Sequence, residues 1–318
     1  MDIALVIVGF LSLLAGGELL VRGATQLARL FGMSPLLIGL TVVACGTSAP
    51  ELAASLSAAF QGVPEVALGN VLGSNTANVG LILGIAALIR PVGATPGLFR
   101  RELPLMIFVV ALPIALYWNG YQGRIESAAL LLLLGSYLSV LIREARRNRN
   151  GGIELDGIED LPPPAPLWMA LLTAVAGGLV LAGGAWMLVR GAVNIAAALG
   201  VPDRVIGLTL VALGTSLPEL AASAVAAYRG HSAMVLGNVI GSNIFNVLAI
   251  LGATGLVKPL VVDPVASQGD ELVAVGFTLL LLPFLAIFKE VGRLPGLLLV
   301  FLYGCYVFFL FGGRFGAA

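Results

Sequence analysis

The sequence predicts an all-α polytopic membrane protein, with ten transmembrane helices in two inverted-topology five-helix repeats. Three observations carry this expectation. Of 318 residues, 59% are hydrophobic and only 11% charged, with a mean hydropathy of +1.03; an ordinary soluble domain is about 25% charged. The apolar residues gather into ten runs of the length needed to cross a hydrocarbon core of about 30 Å. One stretch of the chain also occurs twice. A soluble enzyme would lack the charge to cover its surface, a disordered chain would be polar, and barrel strands would read as short alternating segments. The 17 basic and 17 acidic side chains cancel, so nothing points to a nucleic-acid partner. Cys45 and Cys305 lie in apolar stretches and show neither a disulfide framework nor metal-ligand spacing.

The runs fall at 1–21, 34–60, 66–89, 103–118, 125–142, 167–189, 205–228, 233–257, 272–288 and 294–312. The first lacks the basic leader and cleavage site of a signal peptide and is read as a span. Loop charges then set the orientation. With the N-terminus outside, twelve of the 17 basic residues, Arg22, Arg90, Arg143 and Arg229 among them, fall on the cytoplasmic side. Five (Arg124, Arg190, Arg204, Lys258 and Arg314) fall outside, and the C-terminus ends outside as well. The longest connection, 143–166, begins basic, turns acidic at Glu154, Asp156, Glu159 and Asp160, and ends in Pro162, Pro163 and Pro164. It reads as a solvated cytoplasmic linker between a first repeat at 1–142 and a second at 167–318.

The duplication is the most informative feature. GLTVVACGTSAPELAAS at 39–55 returns as GLTLVALGTSLPELAAS at 207–223, and LGNVLGSNTANV at 68–79 returns as LGNVIGSNIFNV at 236–247. A constant offset of 168 aligns 39–84 with 207–252 without a gap, and 29 of the 46 positions are identical. The shared residues include Gly, Thr, Ser, Pro, Glu and Asn, which apolar packing does not require. Five spans per half is an odd number, so the second half enters the membrane from the opposite side. Such inverted repeats are common in secondary transporters, whose sites lie near the midplane where the halves meet.

Glu51 and Glu219 each lie about ten residues into a span, hence about 15 Å deep at 1.5 Å per residue. A charge at that depth is costly unless it faces a cavity or a cation. No basic residue lies at that depth, so these carboxyls are either protonated or neutralised by a cation. Their surroundings favour the cation. Thr47 and Ser48 lie one turn before Glu51, and Pro50, which has no N–H, leaves the Gly46 carbonyl without its helical partner. An interrupted helix with free carbonyls is the expected result, and Gly214, Thr215, Ser216, Pro218 and Glu219 repeat it. Hard oxygen donors suit Na⁺ and Ca²⁺, the latter above Mg²⁺ because it accepts a flexible cage of six to eight ligands.

The following span of each half adds amides. Asn70, Ser74 and Asn78 line one helix face, as do Asn238, Ser242 and Asn246. Ser74, Asn78, Ser242 and Asn246 read as ligands. For Asn70 and Asn238 a role in holding helices together is an equal alternative, and Gly69 with Gly73 would allow the close approach this needs. Glu18 is set aside, because Arg22 one turn on makes a favourable pair and its repeat counterpart is Trp186. Glycine-rich runs at 15–17 and 183–184 suggest that the first and sixth spans pack closely against a neighbour.

GTSAPEL at 46–52 and GTSLPEL at 214–220, followed by the glycine–asparagine motifs at 69–75 and 237–243, resemble the signature repeats of the sodium/calcium exchangers, within the cation/calcium antiporter superfamily. The resemblance covers about 90 residues in the two core regions. It implies that Glu51 and Glu219, with the carbonyls of Thr47 and Thr215, hold Ca²⁺. It further implies a Na⁺ site at Ser48, Ser74 and the Ala44 carbonyl, mirrored at Ser216, Ser242 and the Ala212 carbonyl, with Asn78 and Asn246 flanking the centre. Asn246 stands where potassium-dependent relatives carry Asp, which argues against K⁺ dependence. The sequences after each glycine–asparagine pair differ from the Glu-containing pattern of calcium/proton relatives and favour Na⁺ as the coupling ion. No stretch is long enough for the cytoplasmic regulatory domain of animal members, which implies a minimal, prokaryotic-type protein of the inner membrane.

The expected activity is therefore Na⁺-driven Ca²⁺ antiport by alternating access, with both ions as substrates and no cofactor. Proton coupling in the same fold is the nearest alternative, and a passive cation channel is the alternative from another class. No nucleophile–base pair or cofactor motif suggests an enzyme.

Overall fold

The computed structural model describes residues 2–94, 98–149, 165–199, 212–262 and 264–315. Part of the expected linker (150–164) and the start of the seventh expected span (205–211) lie outside these residues. Apart from the π-helical turn Leu98–Glu102, twelve helical segments are described: α1 (Asp2–Phe31), α2 (Pro35–Thr47), α3 (Ala49–Gln61), α4 (Val66–Ile89), α5 (Leu103–Leu116) and α6 (Arg124–Arg149) in the first half. The second half contributes α7 (Leu167–Ala198), α8 (Ala212–Thr215), α9 (Leu217–Tyr228), α10 (Ser232–Val257), α11 (Pro264–Phe288) and α12 (Arg293–Phe315). Seven of these helices are long and apolar enough to cross a membrane, or eight when the bent pair α2 and α3 counts as one span. The chain is a multi-pass integral membrane protein.

Several boundaries differ from the sequence expectation. Helix α1 runs ten residues beyond the expected 1–21, and α7 nine beyond 189. Helix α6 continues to Arg149, so the first seven residues of the expected linker are helical. Hydropathy marks where a helix enters lipid, whereas backbone hydrogen bonding carries the helix past that boundary for as long as the residues favour it.

The helices form an inside and an outside layer. In α10, 94% of the most apolar window is buried within the protein, and in α4 72%; for α12 the share is 17%. The two long helices α1 and α7 lie antiparallel on one flank, joined along a glycine seam. A Cβ on Gly9 would stand 2.7 Å from the Gly184 carbonyl, and one on Gly184 would stand 2.9 Å from that of Gly9. Gly16 meets Gly177 and Leu181 further along the same seam, whereas Gly17 faces Ala221 of α9. Gly241 brings α10 against α2 in the same way, where an added Cβ would meet Leu40 at 2.8 Å. A Cβ on its repeat counterpart Gly73, or on Gly69, would meet no described atom within 4 Å.

Local signals explain the segment ends. Ser34 caps α2 through its Oγ, which accepts the Leu37 N–H at 3.2 Å, with Pro35 in the first turn. Helix α3 ends one residue before Gly62 (φ 81°) and α9 two residues before Gly230 (φ 82°), equivalent positions of the two halves that both adopt the left-handed conformation. Short strands then tie the halves together. Antiparallel pairs join β1 (Val92–Gly93) with β4 (Glu290–Val291), and β2 (Tyr121–Gln122) with β3 (Leu260–Val261). Offsets of 168 and 169 carry β1 onto β3 and β2 onto β4, so exchanging the halves reproduces both pairs and their register.

Candidate functional site

The site is built where helices break. Between α2 and α3 the backbone turns by 45° at Ser48 (φ −82°, ψ 6°), and between α8 and α9 Ser216 adopts nearly the same angles (φ −89°, ψ 3°). Pro50 and Pro218 stand in the first turn of the helix that follows, as the sequence motif requires. Each break places its glutamate in the first turn of a new helix, where the free N–H groups and the helix dipole favour a carboxylate. Glu51 and Glu219 are each 1% exposed.

The two halves complete each other. Ser48 Oγ donates to Glu219 Oε1 at 3.0 Å, and Ser216 Oγ donates to Glu51 Oε1 at 3.3 Å. Ser216 Oγ also lies 3.2 Å from Ser74 Oγ. Thr47 Oγ1 donates to Asn238 Oδ1 and Thr215 Oγ1 to Asn70 Oδ1, both at 3.4 Å. Asn70 Nδ2 reaches Ser55 Oγ at 3.0 Å and the Glu51 carbonyl at 3.1 Å; Asn238 Nδ2 reaches Ser223 Oγ at 2.9 Å. Asn70 and Asn238 are therefore ties between α3 or α9 and the helix beyond, which is the packing alternative for these residues. The Ala44 carbonyl accepts the Ser48 N–H at 3.0 Å and the Thr47 hydroxyl at 3.4 Å, and Ala212 begins α8.

Several oxygens at this centre take no hydrogen bond from the described residues: Glu51 Oε2, Glu219 Oε2, Ser242 Oγ and Asn246 Oδ1, all fully buried. A buried acceptor without a donor is costly, and a cation satisfies such oxygens. The four ion pairs of the described residues use Glu18, Glu102 and Glu144, and none uses Glu51 or Glu219. A carboxylate pair, hydroxyls and amides together make a hard-oxygen environment suited to Na⁺ or Ca²⁺. Cys45 is exposed, and His231 sits in the turn between α9 and α10.

Some residues are missed by the sequence reading. Asn75 and Asn243 pair with Asn246 and Asn78 across the halves, and Ser55 and Ser223 hold Asn70 and Asn238. All four are identical at the 168 offset, a signal that the one-face helix argument discards. Glu51 and Glu219 are also not the only buried acids. Glu102, just before α5, and Glu271, within α11, are 1% and 2% exposed. Glu102 is met by Arg101 and by Tyr137, whose hydroxyl donates at 3.0 Å.

A helical membrane protein that buries paired carboxylates among uncharged oxygens, at the junction of two interlocked halves, is by class a multi-pass membrane transporter. The profile of the family described as sodium/calcium exchanger protein matches residues 1–143 and 169–312. The chain belongs to that family. It is 37% identical to the inner membrane protein YrbG of Escherichia coli, over 87% of each chain. It is 34% identical to the sodium/calcium exchanger MaX1 of Methanosarcina acetivorans, over 96% of this chain and 97% of the other. Its fold superposes on the sodium-calcium exchanger NCX_Mj, soaked with zero Na⁺ and Ca²⁺, with a TM-score of 0.81 and 34% identity. That match covers 97% of this chain and 98% of NCX_Mj.

Proposed function

We propose that this protein is a secondary antiporter that exchanges Na⁺ for Ca²⁺ by alternating access, both ions competing for a site around Glu51 and Glu219. The observation that carries the reading is the crossed pair of serine–glutamate hydrogen bonds, with one oxygen of each carboxylate left over. In this reading Ca²⁺ neutralises both carboxylates and takes the carbonyls of Thr47 and Thr215. Na⁺ occupies the two flanking positions, at Ala44, Ser48 and Ser74 and at Ala212, Ser216 and Ser242, with Asn78 and Asn246 beside the centre. Two bare carboxylates buried within the membrane carry a large cost, so loaded forms cross and the empty form does not. That restriction makes the process exchange.

The ten-span, inverted-repeat arrangement belongs to the same proposal. Its support is that contacts between the halves recur with the halves exchanged, in the site and in the strand pairs. The names of MaX1 and NCX_Mj support Na⁺ and Ca²⁺ as the ions, and YrbG supports the inner membrane as the location. The N-terminus and C-terminus are placed outside and 143–166 in the cytoplasm, on the loop charges.

The test is ⁴⁵Ca²⁺ uptake into proteoliposomes. The expected result is uptake that follows an imposed Na⁺ gradient and is abolished in Glu51→Gln and Glu219→Gln. Uptake that ignores Na⁺, or that follows a pH gradient in its absence, overturns Na⁺ coupling. Uptake that survives both substitutions overturns the site.

A further inference from the structure

Beside the carboxylates, four asparagines form an amide cluster across the two halves. Asn246 Nδ2 donates to Asn75 Oδ1 at 3.1 Å, and Asn78 Nδ2 donates to Asn243 Oδ1 at 3.0 Å. Asn75 Nδ2 lies 3.5 Å from the Asn243 carbonyl, and Asn243 Nδ2 lies 3.4 Å from Met106 Sδ. None of the four is more than 1% exposed. The two principal bonds are the same bond with the halves exchanged.

A side-chain amide carries its donors and its acceptor on opposite arms. Once the NH₂ group of Asn246 is committed to Asn75, its carbonyl oxygen turns the other way, and that oxygen is buried without a donor. Rotating the amide by a half-turn would set two carbonyl oxygens against each other and aim an NH₂ group at the cations. The neighbour therefore decides which end of Asn246 a cation meets. Both asparagines that receive these bonds sit three residues before the amide that their repeat contributes, at the close of a regular α-helical stretch. The amides that donate, Asn78 and Asn246, begin the wider π-helical turns Asn78–Leu83 and Asn246–Leu251. Such turns recur at functional sites.

We propose that Asn75 and Asn243 are positioning residues of the cation site: each accepts the NH₂ group of the other half's amide and so presents the oxygens of Asn246 and Asn78 to the ions. The proposal rests on the reading of the site as a Na⁺ and Ca²⁺ site. It adds two residues that touch no ion and act through ones that do. It also makes each half responsible for orienting a ligand supplied by the other.

The experiment is a double-mutant cycle on the purified full-length protein, reading Ca²⁺ affinity by titration calorimetry and Ca²⁺ KM against maximal rate by flux. Asn75→Leu is expected to weaken Ca²⁺ binding about tenfold with little change in maximal rate. Asn246→Leu and the double variant are expected to be equally weak, because Asn75 has nothing to act through once Asn246 is gone. Asn75→Asp, which keeps the acceptor, is expected to stay within about threefold of the unmodified protein. The mirror cycle with Asn243→Leu and Asn78→Leu asks the same question if Asn75→Leu does not fold. Additive losses, or unchanged affinity in the leucine variants, overturn the proposal and leave the exchanger reading intact. Absence of Ca²⁺ binding by the unmodified protein overturns both.

Discussion

Ser48 and Ser216 stand at the point where each helix breaks, and each spends its hydroxyl on the glutamate of the opposite half. A hydrogen bond to a charged group contributes about 1.5–3 kcal/mol. Ser48→Ala and Ser216→Ala are therefore each expected to weaken Ca²⁺ binding by about ten- to hundredfold, measured as Ca²⁺ KM in proteoliposome flux. Comparable losses from both positions would match their exchanged geometry; a large effect from only one would show that the halves are not equivalent in the site. At this scale most of the site is legible in the sequence. Glu51, Glu219 and their hydroxyl neighbours announce themselves because a carboxylate in an apolar run has few affordable environments. Asn75 and Asn243 do not, because a helix-face argument keeps residues four apart and drops the one that turns toward the other half.

At the scale of elements, the flank helix α1 is tied to the end of α9 by charge. Glu18 receives Arg22 from its own helix at 2.5 Å and Arg229 from beyond α9 at 2.5 and 3.1 Å. The repeat-equivalent positions are Trp186, Arg190 and Gln61. There Arg190 lies over the Trp186 ring at 5.0 Å, and Gln61 bonds to Ser57 on its own helix. Among the described residues, the charged tie therefore occurs at one of these two equivalent places and not at the other. His231, in the turn between α9 and α10, belongs to the same surface. Burial, and then the guanidinium of Arg229 with a smaller contribution from Arg90, hold its imidazole below the ordinary 6.5, against the opposite pull of Glu18. The unfolded chain thus binds this proton more readily than the folded one. Stability is expected to fall as pH drops from about 6.5 toward the folded value, and to level off below it. His231→Gln is expected to flatten the Tm profile of detergent-solubilised protein between about pH 5 and 7. An unchanged slope would assign that pH dependence to other groups. The helix ends that escape the sequence reading, in α1, α6 and α7, are those where a polar or glycine-rich continuation stays helical beyond the apolar run.

The whole molecule is organised by exchange. Hydroxyls, amides and strands of one half meet their counterparts in the other, so the site is the seam and neither half alone contains it. In a cycle of three Na⁺ for each Ca²⁺, the ratio that the resemblance to the sodium/calcium exchangers implies, one net charge crosses, worth about 2.3 kcal/mol per 100 mV. A potassium diffusion potential of about 100 mV is then expected to shift the equilibrium Ca²⁺ ratio about fiftyfold. A ratio indifferent to the potential would require an electroneutral cycle. Composition and the duplicated motifs by themselves determine the membrane class, the two halves and the paired acids, because charge in lipid is expensive enough to leave a clear mark on a linear chain. Only the tertiary structure decides which half completes which carboxylate, which amide turns its oxygen inward, and that Glu18 reaches Arg229. Those outcomes depend on how two halves distant in sequence are set against each other, and a bond across that seam leaves no periodicity or spacing in the sequence to be read.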